Sequence, residues 1–506
     1  MGCFSKALFL DPAHPVAGRG ILRIKSFLDV ENLIIAATNT NSSLNGWAWF
    51  ALGTHNAMVE SDDDLAAICF QEALRCRDIS SPESDSQCCF YVSPHAPNNV
   101  TQLTEVWAEL ASCYKRLGRY TAAVRAFTAG ASENPRILCS WAEVDLELGL
   151  FDDAAEKYSR VLQHADTFGT FVGIAAFGQG RALLAMAQRD AQDGKAGAAY
   201  NLMKRAIDGI QKILVSCKGN QTVQSDFGCV VKLLGDIYTF GAGLPPALFN
   251  EDDSRGYSSG EHLRSQIAFI AQGEACYLAV KTTKGMLDDE AALLDSAIQC
   301  DLGTNILLQS QILAMLYGEG QGLNLSLVDV VHSCNEVKVS FDRASDCFRS
   351  ALTESPLYAP AWCGLGCALC GTDPILAQHA FVRCLQLDKV SPDAWSNLGF
   401  LYASHGQLRA SIDMMDQLTQ VADTPLMWIC RAALIEQEAL VRVGDEKLLM
   451  SQAADAYRAA LQVTKHPSAL LGLSLSCRVS PADKNDARKE SLGFMREYEG
   501  DRKSVV

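Results

Sequence analysis

Aromatic residues are scarce, at 8% of the chain, and proline fills only 15 of 506 positions. Few prolines leave room for uninterrupted helices. No run of about 18 apolar residues occurs, so no segment qualifies by hydropathy as a membrane-spanning helix. Basic charge is in deficit: 43 Lys and Arg face 59 Asp and Glu, a net charge of −16. An acidic chain repels phosphate backbones, so tight nucleic-acid binding by this chain alone is not expected. The catalytic signatures are missing too. There is no G-x-x-x-x-G-K-[ST], no H-E-x-x-H and no G-x-S-x-G, and Gly18-x-Gly20 lacks the third glycine of a dinucleotide loop. No secretory apolar segment is read at the start. The N-glycosylation triplets, such as Asn41-Ser42-Ser43, therefore read as accidental, and the 19 scattered cysteines as small buried hydrophobes in a reducing compartment.

What is present is 48% hydrophobic material rich in alanine and leucine, enough for a helical core. At this length the chain holds about three domains or one extended array. Self-similarity favours the array. Four segments carry a small residue, an aromatic four positions on, and a small residue three further. They are Ala66-Phe70-Ala73, Ala123-Phe127-Gly130, Ala344-Phe348-Ala351 and Ala377-Phe381-Cys384. Spacings of four and three put each triple on one helical face. The small residues let a second helix approach, and the aromatic fills the space between.

Upstream runs a second pattern: Trp49-Leu52-Gly53, Trp107-Leu110-Ala111-Tyr114, Trp362-Leu365-Gly366 and Trp395-Leu398-Gly399-Tyr402. Gly118 and Gly406 follow where a first helix should stop, and Pro135 and Pro356 punctuate the end of the second. Trp362, Trp395 and Trp428 are spaced by 33, as are Phe348 and Phe381, with Met415 34 further on. These units resemble the tetratricopeptide repeat. The resemblance implies an all-α fold, an alpha-alpha superhelix of helix pairs, some irregular.

The expected organisation is repeats over 1–165, with the first truncated; irregular long-helix repeats over 166–342, with a loop near 241–262; repeats over 343–477, ending on Ala453-Tyr457-Ala460; and a polar tail over 478–506. A further loop is expected at 80–100. Residues 138–161 read as a shortened repeat, and Leu234-Gly235-Tyr238 and Leu302-Gly303 as first-helix slots. Phe4, Ala7 and Pro12 fit the end of a second helix, so the chain is expected to be a fragment of a longer array.

Candidate chemistry is thin. Cys363, Cys367 and Cys370 have the C-x3-C-x2-C spacing of an iron–sulfur motif, but they fall in the helix that carries Trp362 and Leu365, so they read as core. Cys88-Cys89 has no second metal-type pair nearby. Asp62-Asp63-Asp64 reads as a polar turn whose acids favour the next helix start. Met1-Gly2-Cys3 has Lys6 where an acylation signal wants Ser or Thr, and Ser504-Val505-Val506 is a chance-level carboxy-terminal motif. No catalytic residue, metal or cofactor is expected, and ligand-binding residues are unknown.

The order of segments CFSKALFLDP, VWAELASCYKRLGRYTAAVRAFTAGASENP, CVVKLLGD, WCGLGCALC and LAQHAFVRCLQLD resembles the tetratricopeptide scaffold family of superkiller complexes over about residues 1–475. That resemblance implies a non-catalytic cytoplasmic scaffold, with the nucleus also open. It implies a DExH RNA helicase and a WD40 propeller as partners, and a role in exosome-mediated 3′-to-5′ RNA decay. The alternative is a co-chaperone-like adaptor that binds peptide tails, with Ser396-Asn397 as the groove residues.

Overall fold

Among the described residues every regular element is helical, and no strand occurs. The computed structural model describes residues 2–13, 17, 21–22, 27–40, 45–76, 102–130, 134–163, 171–216, 227–249, 259–283, 289–321, 333–420, 423–442, 446–463 and 467–476. The expected loop 80–100, Cys88-Cys89, the tail 478–506 and Ser504-Val505-Val506 lie outside them.

The chain divides into two units, Met1–Ala182 and Leu183–Val506. The first holds α1 (Gly2–Leu10), α2 (Phe27–Thr38), α3 (Gly46–His55), α4 (Asp63–Arg75), α5 (Gln102–Arg116), α6 (Tyr120–Ala129), α7 (Pro135–Glu147) and α8 (Phe151–Gln163). Helix α9 (Val172–Gln192) crosses the division. The second unit continues with α10 (Ala196–Ser216), α11 (Phe227–Ala242), α12 (Ser259–Thr283), α13 (Asp289–Gln321), α14 (Asn335–Glu354) and α15 (Ala359–Leu369). It ends with α16 (Pro374–Leu387), α17 (Pro392–Ser404), α18 (Leu408–Leu418), α19 (Pro425–Val441), α20 (Glu446–Val463) and α21 (Pro467–Ser476). The pairs α3–α4, α5–α6, α7–α8, α11–α12, α13–α14, α15–α16, α17–α18 and α19–α20 pack as first and second helices, and α4, α6, α12, α14, α16, α18 and α20 each pack on the helix that follows. First helices also touch their successors, α5 with α7, α11 with α13, α13 with α15 and α15 with α17.

The turns repeat one device. Gly118, Gly149, Gly194 and Gly406 have φ between 70° and 79°, a region that side chains rarely enter. Each lets the next amide bond back across the turn: Arg119 to the Tyr114 carbonyl, Leu150 to Asp145 and Lys195 to Asp190, all at 2.8 Å, and Gln407 to Tyr402 at 2.9 Å. These bonds satisfy the last carbonyls of the first helix and turn the chain into the second. At the α3–α4 turn Ser61 takes the left-handed slot at φ 56°, after a one-turn π-helix, Asn56–Glu60. Proline opens several of the helices. Pro135, Pro374, Pro392 and Pro425 stand at the first positions of α7, α16, α17 and α19, where a missing N–H costs nothing.

Two expectations are refined. Pro135 is the first residue of α7, capped by Asn134, as well as the end of the preceding turn. The shortening of that repeat lies before α7, since Pro135 follows Phe127 by 8 positions whereas Pro392 follows Phe381 by 11. The region 241–262 is not loop throughout: Gly241 and Ala242 end α11, Pro246–Phe249 is a 3-10 turn, and α12 starts at Ser259.

The core is a series of sockets in which an aromatic ring meets a residue with little or no side chain. Phe70, Phe127, Phe348 and Phe381 are fully buried. A Cβ added at Gly53 would stand 2.8 Å from the Phe70 ring, at Gly366 2.6 Å from Phe381, and at Gly303 2.9 Å from Phe348. Gly364 of the following helix meets the same Phe348 ring. Tyr158 and Tyr457 meet Gly178 and Gly472 in the same way, and Tyr277 meets Gly235 at 2.9 Å.

At Gly399 the neighbour is instead the terminal methyl of Met415, 2.7 Å from the added atom. A thioether methyl can swing aside where a buried ring cannot. Gly366→Ala is therefore expected to cost ~1–3 kcal/mol and Gly399→Ala less than half as much. Urea midpoints of the two variants check this; equal losses would contradict the ring-socket argument.

Candidate functional site

Repeat proteins present their first helices side by side, so the residues that bridge them define the face offered to a partner. The motif residues set that face. Trp49, Leu52, Trp107, Tyr114, Trp362, Trp395, Tyr402 and Trp428 are half-buried. Gly53, Ala73, Leu110, Ala123, Pro135, Ala344, Ala351, Leu365, Gly366, Ala377, Leu398, Gly399, Ala453, Tyr457 and Ala460 are buried, and Pro356 is exposed. The half-buried rings carry the polar links. Trp362 Nε1 donates to the Pro356 carbonyl at 2.9 Å and Trp395 Nε1 to that of Lys389 at 3.1 Å, the same bond one repeat on. Trp428 Nε1 turns to Asp423 Oδ1 at 2.7 Å. Tyrosine hydroxyls accept from a glutamine of the preceding second helix: Gln71 to Tyr114 at 2.5 Å, Gln211 to Tyr238 at 2.9 Å and Gln378 to Tyr402 at 3.1 Å.

Between consecutive first helices a polar bridge recurs in one register. The residue two before the motif glycine reaches the residues three before and one after the preceding glycine. On α17, Asn397 Nδ2 donates to Cys367 Sγ at 3.2 Å and Cys363 Sγ at 3.6 Å. On α13, Asp301 Oδ2 accepts from Lys232 Nζ at 2.7 Å, and Lys232 also bonds Asp236 at 3.1 Å. Burial works against the Lys232 charge, but Asp236 and Asp301 outweigh it and hold the ammonium above the usual lysine range. In the first unit Arg136 of α7 reaches Glu109 of α5 at 2.7 Å, and Lys115 pairs with Glu143.

These bridges decide what the face can do. The groove residues of the peptide-tail alternative are engaged internally, because Asn397 serves the two thiols and Ser396 Oγ donates to the Pro392 carbonyl at 2.8 Å. The C-x3-C-x2-C cysteines ride on α15 and its C-cap. Hydrogen bonding to Cys367, with burial, pushes the Cys363 thiol up to about 12, and burial pushes Cys370 up to about 11. A raised thiol pKa leaves less thiolate to act as a nucleophile at Cys363 and Cys370. Among the described residues no group of three or more His, Cys, Asp or Glu is placed to hold a metal ion. The Asp62-Asp63-Asp64 acids are spoken for: Asp62 caps the Leu65 amide at 3.0 Å, Asp63 holds Arg116 and Asp64 holds Arg119.

One pair had no sequence signal. In α7 Asp145 occupies the tyrosine slot, buried at 2% exposure, and pairs with Lys157 of α8 at 2.7 Å. Lys157 also sits 4.6 Å over the Trp141 ring, which stacks on Phe127 at 6.1 Å. A lone Asp and Lys twelve residues apart match no motif; only the slot alignment reveals that a polar side chain stands where a ring belongs.

The tetratricopeptide repeat family matches residues 104–136, which contain most of α5, all of α6 and the start of α7. Tetratricopeptide repeat protein 37 of Xenopus laevis is 24% identical over 96% of this chain. Superkiller complex protein 3 of Homo sapiens is 24% identical over 97% of it. The chain carries a tetratricopeptide repeat and is similar to Superkiller complex protein 3. It spans 28% of the length of each of these two relatives. Among solved structures, a human IFIT1 dimer with PPP-AAAA is 12% identical with a TM-score of 0.38, covering 93% of this chain and 94% of that one. Among the described residues no helix is long and apolar enough to cross a membrane.

Two measurements probe the bridges of the first unit. Lys157→Met leaves the Asp145 carboxylate buried and unpaired, an expected loss of about 3–5 kcal/mol at neutral pH. Burial already raises Asp145 above the usual carboxylate range, so the loss should shrink as acid protonates it; a loss independent of pH would contradict the pairing. Burial, with Glu109 adding, also pushes Glu105 up to about 7 against the pull of Arg136. The folded state then binds the extra proton, and stability from this group falls as pH rises from about 4.5 to 7. Glu105→Gln should flatten the stability profile across that window, read by thermal melts at stepped pH.

Proposed function

We propose that the chain is a non-catalytic scaffold segment of a superkiller-type complex, which holds protein subunits that deliver RNA to exosome-mediated 3′-to-5′ decay in the cytoplasm. The observation that carries this reading is the similarity to Superkiller complex protein 3 over 97% of the chain, irregular middle included. The physical chemistry agrees with it. A net charge of −16 makes the chain a poor RNA ligand and a suitable neighbour for basic subunits. In this division of labour a DExH helicase grips RNA, a WD40 propeller docks alongside, and this chain positions both through protein contacts. The absence of a catalytic role is part of the same proposal, supported by the commitment of Asp62, Asp63 and Asp64 to a helix cap and to two arginines.

The peptide-tail adaptor is a distinct reading. A clamp for acidic tails needs free donors from successive first helices. Here Asn397 is committed to Cys363 and Cys367, and Lys232 to Asp236 and Asp301.

The test is affinity capture of the tagged chain from nuclease-treated cytoplasmic extract. Recovery of the helicase and the propeller is expected and should survive nuclease. Recovery of chaperones alone would favour the adaptor, and tight RNA binding by the purified chain at physiological salt would defeat both readings.

A further inference from the structure

The connection between α11 and α12 is far longer than a turn requires. The α17–α18 turn needs only residues 405–407, closed by Gly406, whereas residues 243–258 separate α11 from α12. The described part of the insertion folds back on second helices. Phe249, the last residue of the 3-10 turn, lies edge-on to Tyr200 of α10 at 5.4 Å and to Phe269 of α12 at 5.1 Å. Leu248 rests on the cluster of Ala187, Ala199 and Leu244. Gln266 of α12 holds the base, its Nε2 donating to the carbonyls of Ala242 at 2.6 Å and Leu244 at 3.1 Å.

Two details distinguish this from ordinary core. Leu248 and Phe249 are only half-buried, unlike the ring-socket residues. The Gln266 Oε1 is buried and has no hydrogen-bond partner. An unsatisfied buried acceptor costs free energy. The plug enters through Pro245 and Pro246, neither of which has an N–H to give.

We propose that residues 245–249 are a cis-bound plug in an apolar groove between α10 and α12, and that a partner segment presenting an aliphatic–aromatic pair on one tight turn docks there in its place. The chemistry of the occupant is read from what now fills the groove. An aliphatic side chain meets the alanines and an aromatic ring wedges between Tyr200 and Phe269, while the Gln266 Oε1 that the plug leaves unpaired calls for a backbone N–H from the partner. A tethered plug competes at millimolar effective concentration, so the groove is masked until a better ligand arrives. The inference stands whichever proteins the scaffold assembles.

The probe is a fluorescein-labelled pentapeptide with the sequence of residues 245–249, titrated by the full chain and followed by anisotropy. The wild-type chain is expected to bind it weakly. A chain carrying Leu248→Ala and Phe249→Ala should bind at least tenfold more tightly, and Tyr200→Ser in that background should abolish the gain. Equal affinity for wild type and double variant, or a gain indifferent to Tyr200, overturns the proposal. If the double variant loses its helical circular dichroism, hydrogen exchange on the wild-type chain decides. Millimolar peptide should speed exchange of the Leu248 amide, which bonds the Pro245 carbonyl at 3.1 Å. Unchanged protection overturns it equally.

Discussion

The described helix pairs depend chiefly on a ring meeting a residue with no side chain. An aromatic from a second helix can lie flat against a neighbouring first helix only where glycine or alanine leaves the backbone bare. Phe348 shows the constraint in its strongest form, since both Gly303 and Gly364 leave room for its ring. The ring belongs to two helix pairs at once, so neither pair reaches its full packing alone. Stability in such an array is shared between neighbours rather than owned by one unit.

The polar contacts are built on that spacing. Once glycine and ring fix the approach of consecutive first helices, the residue two before the glycine falls opposite the same two positions of its predecessor. That slot accepts different chemistry, an amide over thiols at Asn397 and a carboxylate over an ammonium at Asp301. The geometry stays constant while the side chains vary, which is how a repeat keeps its fold and changes the surface it presents. It also explains why cysteines at metal-like spacing on α15 read better as part of the bridge than as ligands.

The helix pairs were legible in the sequence because their signals are redundant. Trp362, Leu365, Gly366 and Phe381 each specify the same register, and Trp395, Leu398, Gly399 and Met415 repeat it 33 to 34 residues later. The irregular middle was legible in part: Gly235 and Gly303 mark first helices, but their aromatic partners, Tyr277 and Phe348, lie about one long helix away, beyond the expected spacing. The Asp145–Lys157 pair and the Phe249 contacts were not legible. Both depend on which side chain faces which across a turn, and a lone acid, a lone lysine or a Leu-Phe dipeptide carries no periodicity to reveal that.

The insertion between α11 and α12 bears on how such chains diversify. Closing a flexible loop costs entropy that grows only with the logarithm of its length, about 0.6 kcal/mol per doubling. Extending a three-residue turn such as 405–407 to the sixteen residues of 243–258 takes between two and three doublings, so the penalty is roughly 1.5 kcal/mol. A single well-placed aromatic contact repays that sum. The turns are thus where new sequence enters most cheaply, and the rigid helices beneath can acquire a recognition element without changing a residue of their own packing.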